Sequence, residues 1–515
     1  MKQFIKTIEQ TNPKLLFWLI VGISIVLAAW MQHIQHGWIN PDSVLYLEAA
    51  KCIVINDFKG AYQIFNWPFY AFWIGTVSKI TNLNVHVSAQ FLNMIFFAIT
   101  TSSFLNIIRL AGGKNLALFA GALLLFSNTY IVGDVLEMLM RDQGFWAFYL
   151  TSILYFIKHY ENGQTRYAIL WQASAILALL FRIEGLVYLL VLPLIHLFNH
   201  QISHKKRLEN ILNTYSISLI ALLIILISVN TIDSLSMSNF GRLQEVFNTD
   251  LWLSFSHNFR EKTLLMDKKI LFNDLEGYSE FGLIIIFSVV IIVKNLKTLG
   301  LAGSAMVLLV FKQKFNPINN NVKNIIYFVI TASFIIEGLI ITKVFLLSGR
   351  YIVPLTFMLL IISAVYLEQL LKKVSSEDSR GNQLLALIAI LFMCLSFIKN
   401  IMPKGVGYNY TQDAIAWINN HDSNANIFYE DSRLRYYANA PYIGATEFSL
   451  DEIIVARNIP NSYDYLLIKF GMNDQHKLNE ISKKLPEYKE IKRFYARKNK
   501  KYCVIYQNIN TKGRN

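Results

Sequence analysis

Leu15–Met31, LLFWLIVGISIVLAAWM, is followed after a short polar break by His36–Lys51, HGWINPDSVLYLEAAK, and the pair decides how the chain is read. The first run carries no charge and approaches the ~20 apolar residues needed to cross a hydrocarbon core of ~30 Å. Lys2, Lys6 and Lys14 precede it and no small-x-small cleavage site follows. It therefore reads as an uncleaved first span with a cytoplasmic N-terminus. The second stretch then opens an external loop. Pro41 and Asp42 stand where a helical pattern begins (Leu45, Ala49, Cys52, flanked by Val44 and Leu47), which puts a carboxylate at a helix N-terminus near the membrane surface.

Composition supports this outward from the stretch. The 515 residues are 54% hydrophobic with a mean hydropathy of +0.38, too apolar for a soluble chain. The fold expected is a polytopic α-helical membrane protein. Further spans are expected near 87–108, 116–132, 144–157, 167–181, 185–198, 211–229, 281–293, 325–347, 352–371 and 384–398. The segment 299–311 is short and ambiguous, so about 11–12 spans result. The formal charge of +14 is concentrated in the connections assigned to the inside, as the positive-inside rule requires. No soluble basic domain of a nucleic-acid-binding type is present, so nucleic acid is excluded as a partner. Three scattered cysteines (Cys52, Cys394, Cys503) give neither a disulfide framework nor a zinc site, and no histidine pair has HExxH spacing.

Two domains follow. Residues 1–399 are expected to form the membrane domain, with external loops 32–86 and 232–280. Within the first loop, Phe65–Trp73 (FNWPFYAFW) is aromatic enough to lie along the interface. Residues 400–515 are expected to form a soluble external α/β domain. There Asp413–Asn419 and Gln475–Leu485 have helical spacing, Ala425–Tyr429 and Tyr465–Lys469 read as buried strands, and Glu490–Ala496 with Tyr502–Gln507 reads as a hairpin.

Acids and bases mix at the outer ends of the spans: Asp42 and Glu48; Asp134, Glu137, Arg141 and Asp142; Arg182 and Glu184; Lys343 and Arg350. Charge at or below the interface is costly unless paired or used, and its convergence on one face points to one outward polar cavity. Such a cavity suits transfer of a sugar from a lipid phosphate to a hydroxyl. The phosphate is itself a competent leaving group; the reaction needs a carboxylate to take the acceptor's proton and cations to stabilise the departing phosphate. The planar fork of arginine fits that second task.

The order of these parts resembles the GT-C class of integral-membrane glycosyltransferases, which includes the protein O-mannosyltransferases and the lipid A aminoarabinose transferases. PDSVLYLEAAK is similar to the class's acidic first-loop motif, and VGDVLEMLMRDQGFW to its second acidic motif. FRIEGLVYLLVLPL, SGRYIVPLTFMLL and the tail stretches YEDSRLRYYA and YDYLLIKF look like stretches of bacterial members. The resemblance implies Asp42 as catalytic base. It implies Asp142, Asp134, Arg141, Arg182, Glu184 and Tyr46 at the donor or acceptor, and Arg350, Lys343 and Arg182 at the phosphate. The first loop has Asp42-Ser43 where the O-mannosyltransferases have Asp-Glu, which points away from protein mannosylation. The implied donor is a polyprenyl-phosphate-linked sugar, with no separate cofactor and metal use left open. The acceptor is a glycolipid, glycan or protein hydroxyl, and the setting a bacterial inner membrane with a periplasmic active site.

Competing readings of the same residues are structural. Asp42 can serve only as a helix N-cap, Arg141–Asp142 and Arg182–Glu184 as ion pairs, and Arg350 as a snorkelling side chain. At the level of the whole chain the competitors are a transporter or lipid flippase of an envelope-polysaccharide pathway and a non-catalytic assembly protein.

Overall fold

A computed structural model of the chain describes residues 2–34, 38–199, 202–231, 241–242, 244, 250–271, 275, 277–312, 318–376, 380–403, 409–422, 424–442, 463–472, 474–496 and 499–510. His36 and Gly37 of the opening stretch, and most of 232–249, lie outside the described residues. The helices begin with α1 (Lys2–Gln10), α2 (Pro13–Ile34), α3 (Pro41–Val54), α4 (Phe58–Ile64), α5 (Phe69–Thr81), α6 (Val85–Leu110) and α7 (Asn115–Phe126). A π-helical turn, Thr129–Val135, leads to α8 (Asp142–Asn162), α9 (Thr165–Phe181) and α10 (Gly185–Val191), which ends in a 3₁₀ stretch, Leu192–Phe198. Then come α11 (His204–Thr231), α12 (Asp250–Lys269), α13 (Ser279–Lys312), α14 (Asn320–Val344), α15 (Gly349–Ser376) and α16 (Arg380–Asn400). The tail contains α17 (Asn409–His421), β1 (Ile427–Tyr429), α18 (Ser432–Tyr437), β2 (Tyr465–Gly471), α19 (Gln475–Lys484), β3 (Tyr488–Tyr495) and β4 (Lys501–Asn508).

These elements form two compact units, Met1–Met31 with Gln90–Ile401, and Gln32–Ala89 with Met402–Asn515. The first loop, counted in the sequence with the 1–399 domain, thus groups with the tail.

The first unit is helical. Among the described residues, seven helices are long and apolar enough to cross a membrane, or eight if α7 and Thr129–Val135, bent by 47°, make one broken span. The chain is therefore a polytopic helical protein with fewer full-length spans than the eleven or twelve expected. The difference falls on 116–198. There α7 breaks at Ser127, α9 and Gly185–Phe198 are short, and α8 buries Phe145, Trp146, Tyr149, Phe156 and His159 against protein. A helix enclosed by other helices does not need the apolar surface that lipid demands. The best-enclosed helix is α15. Its most apolar window is 94% buried, against 6% for that of α11.

The ambiguous 299–311 segment is the second arm of α13, beyond a break at Gly300 (φ 73°, ψ 172°). That backbone region is essentially open to glycine only. One buried side chain bridges this break and the one after α7. Asn128 Oδ1 accepts from the N–H groups of Tyr130 (3.1 Å) and Ile131 (2.8 Å), starting the π-helical turn. Its Nδ2 donates to the carbonyls of Thr298 (3.0 Å) and Leu299 (3.2 Å), just before Gly300. Asn400 Nδ2 completes the join, donating to the carbonyls of Phe126 (3.3 Å) and Asn128 (3.2 Å). Where lipid offers no hydrogen bonds, broken helices persist only with such protein partners.

The second unit contains a four-stranded sheet of order β1-β2-β4-β3. β1 runs parallel to β2, while the β2–β4 and β4–β3 pairs are antiparallel. Alternate residues of β2 and β4 face opposite layers. Leu466, Ile468, Phe470 and Val504 pack with Leu478 and Ile481 of α19. Tyr465, Leu467, Cys503 and Ile505 pack with Ala414, Ile415 and Ile418 of α17. Burial on both faces is why β2 reads as a continuous apolar run instead of an alternating one. The strands and helices expected from the sequence of the tail all form: α17, β2 and β4 run longer than expected, β1 starts two residues later, α19 stops one residue earlier and β3 is shifted towards the N-terminus.

Asn128→Leu would strand two amide hydrogens and two carbonyls inside the first unit, at a cost on the order of 3 kcal/mol. Thermal unfolding of the detergent-solubilised protein should show a lower midpoint for the variant; an unchanged midpoint would refute this account of the two breaks.

Candidate functional site

Charge gathers in two places, one in each unit. In the first unit the cluster is built from helix ends. Asp142 opens α8, where an acid is favoured by the helix dipole. α9 ends as the backbone turns extended at Arg182 (φ −147°, ψ 129°), and α10 restarts after Glu184. α8 and α9 approach closely here because position 144 is glycine: a Cβ would sit 2.4 Å from the Phe181 ring. Arg182, 2% exposed, uses that approach. Its Nη1 donates to Asp142 Oδ1, while Nε and Nη2 fork onto Glu184 Oε2 (3.1 Å) and Oε1 (3.2 Å). Burial alone raises a carboxyl's pKa, but the guanidinium outweighs it and holds Glu184 down at about 2, with Arg141 adding to the pull.

The Tyr351 ring, at the start of α15, has the Arg182 guanidinium 4.8 Å from its centroid and that of Arg350 at 5.9 Å. Tyr130 lies in the fields of Asp142, Arg182 and Arg350 and hydrogen-bonds to Ser348. Asp142, Arg141, Arg182, Glu184 and Arg350, singled out separately in the sequence, therefore belong to one cluster with three cations and two anions. Asp142 is 1% exposed, and its Oδ2 has no hydrogen-bond partner among the described residues. Arg182 is committed to two carboxylates. It holds Asp142 and Glu184 in position, and Arg350 is half-buried beside the same tyrosine. Asp134 and Lys343 are exposed, on the π-helical turn and in the last turn of α14.

The second unit holds Asp42 and Tyr46. Helix α3 is capped by Asn40, whose Oδ1 accepts from the Asp42 N–H at 2.9 Å. Asp42 is thus not the cap; it sits half-buried in the first turn, with its carboxylate spared that task. Tyr46 is 2% exposed, edge-on to Phe65 (5.1 Å) and Tyr70 (5.4 Å). It packs into this aromatic cluster of the first loop.

The tail stretch YEDSRLRYYA anchors this loop. Asp431 caps α18 at the Arg433 N–H (2.9 Å). The same carboxylate takes the Arg433 fork (2.8 and 2.6 Å) and Lys469 Nζ (2.7 Å). Both cations lie over Trp38, at 4.3 and 4.7 Å from its ring centroid, and Tyr437 stacks parallel to Trp38 at 6.4 Å. The segment leading to Asn40 and Asp42 is thereby fixed from the residue that begins it. One α-helical turn and a half further along α3, Glu48 pairs with buried Arg435 at 3.2 Å and with Lys51 at 3.2 Å. Arg435 also donates to the Ala440 carbonyl (3.1 Å), and Lys51 lies over Tyr436 (5.1 Å).

Trp38, Asp431, Arg433, Arg435, Tyr351 and Tyr130 did not emerge as site residues from the sequence. Arg435 and Glu48 are 387 positions apart, and no local spacing links them. Among the described residues, no group of three or more His, Cys, Asp or Glu side chains could hold a metal ion. The sequence matches no protein-family model and no curated protein.

Arg182→Leu would remove the guanidinium that pairs with both Asp142 and Glu184, costing about 3–5 kcal/mol. Adding Asp142→Asn should recover part of that loss; in detergent melts, a double variant as unstable as the sum of the two single variants would contradict the pairing. Asp431 supplies a pH test. Burial pushes its carboxyl up, but the Arg433 hydrogen bond and the Lys469 charge win and hold it at about 2. Its folded value lies below the ordinary ~3.9, so its contribution is full above about pH 4 and is lost as pH falls towards about 2. The stability gap between wild type and Asp431→Asn should therefore close over that window, and a gap constant from pH 6 to pH 2 would count against the assignment.

Proposed function

We propose that the protein is a glycosyltransferase of the GT-C type. It moves a sugar from a polyprenyl-phosphate-linked donor to an envelope acceptor hydroxyl at the outer face of a bacterial inner membrane. The observation that carries the reading is the buried cluster of Asp142, Arg141, Arg182, Glu184 and Arg350 at the ends of apolar helices. Charges in such a position are expensive and are kept for a task. Three guanidiniums against two carboxylates leave a surplus positive charge that suits a phosphate.

In this reading the acceptor hydroxyl gives its proton to the Asp42 carboxylate as its oxygen attacks the anomeric carbon. The bond from that carbon to the phosphate oxygen breaks, the electron pair leaves with polyprenyl phosphate, and the anomeric configuration inverts. Arg350 stabilises the departing phosphate. Asp142, held by Arg182, offers its second oxygen to a sugar hydroxyl. A carboxylate is a weak base at its reference pKa of about 4, so proton transfer falls late in the displacement.

The bent span at Asn128 favours a second reading, a transporter or lipid flippase, because transporters bind at discontinuous helices. The surplus positive charge of the cluster, suited to a departing phosphate, favours the transferase.

Asp42→Asn should abolish an envelope glycan modification while the protein remains at normal level in the membrane, as read by mass spectrometry of glycolipids and glycoproteins. In vesicles holding the purified protein and a polyprenyl-phosphate sugar, the wild type should release free polyprenyl phosphate. An unaltered glycan profile in the variant rejects the assignment of Asp42. Movement of the intact lipid-linked sugar across the vesicle, without cleavage of its sugar–phosphate bond, selects the transporter.

A further inference from the structure

Within the first unit, α13, α14 and α15 enclose an apolar groove of about 670 Å³ that none of the proposed chemistry uses. Both arms of α13 line it, so its wall exists because of the break at Gly300. Leu296, Leu308, Tyr327 and Phe334 on the lining are exposed, which opens the groove sideways to the surroundings of the helices. Along α14 the lining runs from Lys323 to Phe334, about 16 Å at the rise of an α-helix. That is half of a ~30 Å hydrocarbon core, the depth of one leaflet.

Among the described residues, Lys323 is the one charged residue on the lining. Among the described residues, no carboxylate pairs with it. It begins α14, about 30 Å of helix from the end that leads to Arg350. A cation at headgroup level above a leaflet-deep apolar slot matches one amphiphile: a single chain carrying a phosphate.

We propose that this groove is a binding site for an anionic phospholipid of the surrounding bilayer, with one acyl chain along α14 and its phosphate on Lys323. The bilayer is the source because the groove opens sideways, at the opposite end of α14 from the charge cluster. The proposal does not depend on the transfer reaction. Bound there, the chain covers Asn295, which lines the groove and donates to buried Glu337 at 2.6 Å. The lipid would thereby keep water from that pair.

The test is native mass spectrometry of the full chain in detergent with phosphatidylglycerol or phosphatidylcholine of identical chains. The wild type should retain one phosphatidylglycerol in preference. Lys323→Ala should lower that preference about fivefold, the effect of one lysine near an anionic headgroup. Thr331→Trp, at an exposed position on the lining, should fill the slot and reduce retention of both lipids. An unchanged lipid ratio in Lys323→Ala, or unchanged retention in Thr331→Trp, would overturn the site. Retention of added polyprenyl phosphate ahead of either phospholipid would overturn its assignment to a bilayer lipid.

Discussion

A guanidinium removed from water has to be neutralised where it stands, and the first unit is arranged around one that is. Arg182 reaches Asp142 across a helix pair and Glu184 across its own turn. Its face rests on Tyr351. The start of α8, the end of α9, the start of α10 and the start of α15 are thus tied to a single side chain. Removing either carboxylate alters the charge balance of all four, because the low local dielectric strengthens every remaining interaction. The same constraint prepares a site: one oxygen of Asp142 stays buried and unengaged, while Arg350 lies beside the same tyrosine.

The second constraint is that the backbone cannot be left unpaired among apolar helices. α13 and the α7 span both break, and the carbonyls freed by one break are bonded by the asparagine that restarts the other. Breaks of this kind create space. The turn at Gly300 gives α13 two arms, and the groove between α13, α14 and α15 lies in the angle they make.

In the second unit the sheet is a platform and the loop is the cargo. β2 and β4 are buried on both faces by α17 and α19. At the end of β1, α18 presents alternating charge and aromatic rings to Trp38 and Glu48. Trp38, Asn40 and Asp42 follow one another closely, so an aromatic clamp on the first and a cap at the second leave the third little freedom. With Asn40 as the cap, Asp42 is an acid of the first turn, where the helix dipole favours it.

The amino-acid sequence alone determined the elements whose signals are local. Apolar runs announced the long helices, period-two and continuous apolar patterns announced the strands of the tail, and RKNKK announced its hairpin, because each depends on neighbours within a few residues. It also singled out Asp142, Arg182, Glu184 and Arg350 as misplaced charges. Only the tertiary structure decided that these four meet, that Tyr46 is buried edge-on to Phe65 and Tyr70, that Asn40 and not Asp42 caps α3, and that the first loop groups with the tail. It likewise reduced the number of full-length spans, since α8 is apolar enough for a protein interior and not for lipid. The physical reason is the same in each case: pairing across 40 residues, as between Asp142 and Arg182, or across 387, as between Glu48 and Arg435, is set by packing, and packing leaves no periodic mark on the chain.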